Sequence, residues 1–470
     1  MNMPLNTLEL KANTKLYTIP LILIAAFFSL TFTPRVLANE TLTTTFVLIS
    51  IGLLVSYLIL LFRVKTKKTP TDVILIISKP HYVQMVMHLS IFIYWGWYWP
   101  QVYEQAILII AQLVFVFIAD LLFRWFKGEP WAIGFGRFPI IFSTNLFLWF
   151  KDDWFYFQFL MIAFGVFAKD YFTWVRDGRR THIFNPSAIS LSVASLLLIL
   201  TDSTAIGWGY EISNTLNNPT YIYIEIFILG LIVQYLFQVT LVTLATAIAL
   251  LTLGVIYHQI TGVYFFYTSD IPIAVFLGLH LLVTDPSTSP KTTWGKFIFG
   301  FLYGVSVMLL FEILEFFGQP TFYDKLLCVP LLNLSVIYLD KIGKNIPAMF
   351  SSFKFSAQRL NLIFMSIWIT IFVAWYSSGH VGKSHPGTQS QFWGEACRND
   401  LRKACVVQHD LTLAECERGH AYACAKLGDI YKFAKGVTKD DEKAYNYVGM
   451  ACDMGLIKAC ELRYQYKPEN

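Results

Sequence analysis

RDGRRTHIFNPSAIS, residues 176–190, sets three arginines, a histidine and an Asn-Pro step between two long apolar runs. Arg176, Arg179 and Arg180 have a plain role as a cytoplasmic topology anchor, because Lys and Arg collect in the loops that stay inside. Asn185-Pro186 asks for more. Proline in a helix interior frees a carbonyl, and irregular backbone at membrane depth survives only where protein or a polar cavity satisfies it. Asn185-Pro186 is therefore expected to start a half-helix that dips into the membrane with its free N–H groups facing something polar.

The surrounding composition supports a membrane setting. The 470 residues are 56% hydrophobic and 14% charged, against about 25% charged in soluble domains. Apolar runs recur near 17–34, 44–62, 82–99, 106–123, 132–150, 154–172, 187–201, 222–236, 238–257, 270–284, 297–317, 325–339 and 361–377. A run near 20 residues suits an α-helix crossing roughly 30 Å of hydrocarbon. The fold class expected is all-α: a polytopic bundle of about 10–13 helices with broken half-helices, plus a small disulfide-linked α-solenoid tail. Alternating ten-residue segments of an outer-membrane barrel are absent. The net charge of +5 carries no nucleic-acid signature.

Basic loops orient the bundle. Lys11 and Lys15 precede the first span; RVKTKK follows the second, RWFKGEP the fourth, RDGRR the sixth, KTTWGK the tenth, and DKIGKN through SSFKFSAQR the twelfth. All fall on one side, which places the N-terminus in the cytoplasm and the tail outside. QYLFQVT, between the eighth and ninth spans, has the alternative of one long helix, which would flip the parity. The first run also has a signal-peptide reading, with Pro34 and Arg35 against clean cleavage.

A second stretch, GLHLLVTDPSTSPKTTWGKFIFGFLYG, places Asp285-Pro286 beside another apolar segment, with Ser and Thr capping residues and Lys291 and Lys296 beyond. X-Pro elements at corresponding places in two halves point to a binding site between repeats. Two ordinary Pro-containing loops are the alternative.

FGVFAKDYFTWVRDGRRTHIFNPSAISL resembles a stretch of the NqrB/RnfD family, membrane proteins of the sodium-pumping NADH:quinone reductase and of the Rnf electron-transport complex. Lys169, Gly178, Phe184, Asn185 and Pro186 fall on that pattern. LLVTDPSTSPKTTWGKFIFGFLYGVSVMLL is similar to the family's Thr-Asp-Pro motif through Thr284, Asp285, Pro286, Gly295, Gly300 and Gly304. The resemblance covers roughly residues 80–340. It implies two five-helix repeats, membrane electron transfer and partner subunits of a redox complex in a bacterial inner membrane. The implied cofactor site comprises Lys169, Arg180, Asn185, Pro186, Thr284 and Asp285. The family's Ser-x-Ala-Thr motif for covalent FMN is missing from the outer loop TDSTAIGWGYEISNTLNNPTYI. A flavin, FMN or riboflavin, is therefore expected only without a covalent bond, with a quinone site as the other redox option. Trp208, Tyr210, Tyr221 and Tyr223 fit an interfacial belt better than a flavin stack.

Ionisable residues inside spans are functional candidates: Asp120, Lys169, Asp170, Glu225, His280, Glu312 and Glu315. No metal-ligand spacing, phosphate loop or nucleophile elbow stands out, and Cys328 is the sole cysteine of the membrane half.

After Trp375 a polar linker leads to a different object. Cys416 and Cys452, Cys424 and Cys460, and Gly419 and Gly455 each stand 36 residues apart. A period in the thirties with helical patterning means a helix-pair solenoid, and the stretch resembles a cysteine-rich Sel1-like repeat, which implies a protein partner. Small residues at Ala423, Gly428, Ala444, Ala451 and Gly455 allow close helix packing. Equal spacing pairs the cysteines as Cys397–Cys405, Cys416–Cys424 and Cys452–Cys460. Eight residues of straight helix span about 12 Å, too far for a disulfide, so a turn is expected inside each pair, at Gly419 and Gly455 and at RND in the first. Disulfides agree with a periplasmic or extracellular tail.

The resulting organisation is 1–79 as N-terminal spans, 80–345 as the family-like domain, 346–378 as a cytoplasmic loop and last span, 379–395 as linker and 396–470 as the outer repeat domain. Two further functions stay open: a small-solute or ion transporter on the same repeats, or a membrane anchor that presents the tail.

Overall fold

The computed structural model describes residues 6–10, 17–67, 72–217, 219–346, 355–398 and 402–467. Lys11, Lys15, Lys68, residues 351–354 and residues 399–400 lie outside them. The chain divides into two compact units, Met1–Ala249 with Ile273–Thr370, and Leu250–Pro272 with Ile371–Asn470.

Helices occupy every apolar run. They are α1 (Thr18–Ser29), α2 (Glu40–Lys67), α3 (Lys79–Tyr98), α4 (Ala106–Lys127), α5 (Phe138–Asn145), α6 (Tyr156–Tyr171) and α7 (Pro186–Leu200). Then come α8 (Gly209–Leu216), α9 (Ile222–Phe237), α10 (Thr240–Thr261), α11 (Ile273–Leu281), α12 (Thr293–Phe316), α13 (Asp324–Asn345) and α14 (Ala357–Ser377). Six helices among the described residues are long and apolar enough to cross a membrane: the segments Glu40–Val64, Ala106–Lys127, Thr240–Thr261, Thr293–Phe316, Thr321–Asn345 and Ala357–Ser377. Phe62, Leu200 and Phe316 are each more than 70% exposed, a distribution suited to lipid rather than water.

Two expectations need correction. First, the runs at 132–150 and 270–284 are not full spans: α5 has eight residues and α11 nine, about 12–14 Å at 1.5 Å per residue. The half-length helices are these two, whereas the helix that starts at Pro186 runs 15 residues. Gly134, the 3₁₀ turn Phe135–Arg137 and Pro139 delay the start of α5. Second, the fold is mostly helical but not all-α. Strands β1 (Asn6–Leu10), β2 (Val73–Ile77) and β3 (Trp131–Ile133) form a sheet in that order, β1–β2 antiparallel and β2–β3 parallel. RDGRR, expected as a basic loop, lies in a β-hairpin: β4 (Thr173–Arg176) pairs antiparallel with β5 (Arg179–His182). Its turn residues Asp177 and Gly178 have φ of 51° and 73°, the left-handed pair that a two-residue hairpin requires and that Asp-Gly supplies.

QYLFQVT resolves into two helices. Gln238 takes φ 56° and ends α9 before α10 begins at Thr240. The first helix is built into the unit: Phe27 is fully buried and stacks on Phe46 at 5.2 Å, and Arg35 makes a bidentate pair with Asp152 at 2.7 Å.

In the second unit α15 (Ser390–Arg398), α16 (Arg402–Glu417), α17 (Ala421–Lys432), α18 (Asp441–Asp453) and α19 (Ile457–Gln465) pack each against the next. The three expected disulfides are formed, each with Cα atoms 4.7 Å apart. Gly419 and Gly455 make the turns, with φ of 89° and 92°; most of RND lies outside the described residues. At Gly428 a Cβ would stand 2.3 Å from Val448 Cγ2 and 3.1 Å from the Ala444 carbonyl, so a side chain here would push Val448 out of the α17–α18 seam. Ala423, Ala444 and Ala451 fill the seam. Cys328 stays a free, buried thiol in the other unit.

Candidate functional site

The two motif stretches meet. The Asn185 side chain does three things: its Oδ1 accepts from Ser187 N and Ala188 N, capping α7, and its Nδ2 donates to the Leu282 carbonyl at 2.9 Å. The Asn185 backbone N–H donates to Asn333 Oδ1 at 3.1 Å, and Asn333 Nδ2 donates to Thr288 O at 3.1 Å. The start of α7, the loop after α11 and helix α13 are thus held by amide hydrogen bonds in a buried setting, where such bonds are costly to leave unmade.

Beside this junction lies a partly open cavity of about 270 Å³. Lys169, Asn185, Pro186, Thr284 and Asp285 all line it, so five of the six candidate residues converge. Arg180 does not: it sits on β5, mostly exposed, with Nε donating to Thr173 Oγ1 at 2.8 Å. Arg176, treated above only as a topology anchor, is the inward arginine of the hairpin. It meets Asp340 at 2.5 Å in the interior, and the carboxylate also accepts from Lys291 N, Thr292 N and Thr292 Oγ1.

Helix starts supply much of the lining. His81 and Gln84 come from the first turns of α3, Arg137 and Pro139 from the start of α5, and Asn185 to Ser187 from the start of α7. Each of these helices has a proline at its first or second position, where the missing N–H costs nothing. Helix starts present unpaired N–H groups and the positive end of the macrodipole. Asn185 caps α7, but neither α3 nor α5 has a side-chain cap. Lys169 adds an ammonium with no hydrogen bond or ion pair among the described residues. Arg137 pairs with Asp120 at 2.6 Å, and its buried Nε has no hydrogen-bond partner among the described residues.

The segment after α11 continues the lining. Thr284 Oγ1 donates to His280 O at 2.6 Å. Asp285 accepts from Ser287 N at 3.0 Å and Thr288 Oγ1 at 3.1 Å, and His182 Nε2 lies 3.4 Å away. Burial opposes the Asp285 charge, but the contact with His182 and the bonds from Ser287 and Thr288 outweigh it and hold the carboxyl below its ordinary value.

The other ionisable candidates lie elsewhere. Asp120 is engaged with Arg137 and Trp131, and Asp170 pairs with Arg124 at 2.6 Å. Glu225 accepts from Ser90 at 3.3 Å, His280 accepts from Trp368 at 3.4 Å, and Glu312 and Glu315 are exposed. None of them lines the cavity. Of the aromatic residues between α7 and α9, Tyr210 and Tyr221 are exposed, and Tyr223 at the start of α9 is buried. Sequence reading missed His81, Arg137 and His182. Lys-Pro-His at 79–81 and Arg-Phe-Pro at 137–139 repeat the Asn-Pro signal of a helix start, and that recurrence is what could have found them. Compared with protein-family models, with curated proteins and with solved structures, the chain matches none.

Proposed function

We propose that the membrane unit belongs to an electron-transport complex of the NqrB/RnfD kind, and that its cavity holds the phosphate-bearing end of a flavin mononucleotide without a covalent bond. The observation that carries this is the Lys169 ammonium, without a hydrogen bond or ion pair among the described residues, in a cavity lined by the first turns of three helices. Helix starts bind phosphate and carboxylate through backbone N–H groups and the dipole, and a lysine supplies a point charge to the same anion. The flavin would supply the redox chemistry. Lys169 and the uncapped starts of α3 and α5 would neutralise its phosphate, and Asn185 would fix the wall.

The helix order supports the repeat reading. Helices α3 to α7 and α9 to α13 make two runs of five, and the third of each, α5 and α11, is the short one. The basic loops support a cytoplasmic N-terminus and a periplasmic or extracellular tail in a bacterial inner membrane, with the tail docking a protein partner.

A second reading, transport of a small anion, is favoured by the volume. About 270 Å³ lies just under the roughly 300–1,000 Å³ usual for drug-sized ligands. Titration of detergent-purified full chain with FMN, followed by flavin fluorescence, separates the two. Expected are saturable 1:1 binding, competition by inorganic phosphate, much weaker binding of riboflavin, and loss of binding in Lys169→Met. Phosphate binding without FMN binding moves the assignment to the transporter. Equal binding of FMN by wild type and Lys169→Met overturns the site.

A further inference from the structure

Within the second unit, Asp270, His380 and His385 bring one carboxylate and two imidazoles together, with their ligand atoms all within 4.8 Å of one another. Asp270 Oδ1 lies 3.3 Å from His385 Nε2, and Asp270 Oδ2 lies 3.3 Å from His380 Nδ1. Donors bound tetrahedrally at 2.0–2.2 Å from a zinc ion stand about 3.3 Å apart. The geometry points to a divalent transition-metal site of the His2Asp type, with zinc as the ion of first choice.

The surroundings are those of a metal site. Trp375 Nε1 donates to Asp270 Oδ2 at 3.2 Å and orients the carboxylate. The carbonyl of Tyr267 lies 3.2 Å from His385 Nδ1, where a ring proton belongs once Nε2 gives its lone pair to an ion. Gly387 N also lies 3.0 Å from that Nδ1, and Nε2 faces Asp270 Oδ1. His385 is fully buried, while His380 is about a third exposed and Asp270 a quarter. The centre thus has a closed back and a face open to solvent, where water can complete four-coordination. Two imidazoles disfavour calcium and magnesium, which take oxygen donors.

The ion would act as a clasp. Asp270 belongs to the loop after α10 and both histidines to the linker after α14; backbone N–H of Asp270 already donates to His380 O at 3.3 Å. Trp393 of α15 donates to Gly387 O at 2.6 Å, so the linker that carries the ligands also anchors the first tail helix. Asp270 and His385 are 115 residues apart in the chain, which is why no spacing revealed them.

The test uses untagged full-length protein in detergent, stripped with chelator and titrated with zinc by calorimetry and with cobalt by visible absorption. Expected are one ion per chain, the visible bands of four- or five-coordinate cobalt, and affinity at least about tenfold lower in Asp270→Asn and His380→Ala. His380 is on the solvent side, so its variant keeps the fold, checked by intact disulfides on non-reducing peptide mapping. His420→Ala, in the tail and outside the set, should bind as wild type does. No saturable zinc binding, or equal affinity in wild type, Asp270→Asn and His380→Ala, overturns the site.

Discussion

The side-chain amide of Asn185 donates to the backbone carbonyl of Leu282 at 2.9 Å, which ties the Asn-Pro and Asp-Pro stretches into one wall 97 residues apart in sequence. That bond, with the cap on α7, makes Asn185 a keystone of the cavity. Asn185→Ala removes two cap bonds and leaves the Leu282 carbonyl and the Ser187 and Ala188 N–H groups without their partner. A loss of about 2–4 kcal/mol is expected. Thermal unfolding in detergent measures it, and an unchanged midpoint would count against the role.

The Arg176–Asp340 pair is buried at both ends and joins the hairpin to the start of α12 through the bonds of Asp340 to Lys291 and Thr292. Truncating one partner strands the other's charge. Arg176→Met should cost about 3–5 kcal/mol, whereas Arg180→Met, four residues along and exposed, should change stability by less than about 0.5 kcal/mol. Equal effects in the two variants would show that the pair is solvated.

Much of this was legible in the chain. Helix positions follow from apolar runs, since hydropathy is a sum over composition. The disulfides follow from equal spacing, and Lys169, Asn185 and Asp285 from the rule that polar groups in a membrane segment need a shared interior. Other features were not. Residues 132–150 are as apolar as a span, and hydropathy does not register that Gly134 and Pro139 set back the helix start. Asp177-Gly178 is a hairpin signal, but three arginines beside it read first as a topology anchor. Arg137 and Lys169 meet only through tertiary packing, and Asp270 is far in sequence from its histidines.

In the tail, Gly455 holds φ 92° between Cys452 and Cys460. Gly455→Ala forces a Cβ into left-handed backbone and should cost about 1–2 kcal/mol. Hydrogen exchange at α18 and α19 reports it. Peptide mapping of unreduced protein from intact cells should give the three eight-residue pairs; free thiols at those six cysteines would contradict both the bridges and an oxidising location.

Residues 201–221 should carry no covalent flavin. The attachment motif is missing, and the Thr201 and Thr215 hydroxyls are engaged with the carbonyls of Leu197 and Glu211. In-gel flavin fluorescence that survives denaturation and maps to Thr201, Thr204, Thr215 or Thr220 would refute this.

The central claim is an anion-holding cavity that keeps a flavin without a covalent bond, and the visible absorption spectrum of the purified full chain tests it most directly. A flavin band is expected in the wild type, released into solution on denaturation and missing from a folded Lys169→Met protein. A colourless, intact wild type, or equal flavin in wild type and Lys169→Met, would contradict it.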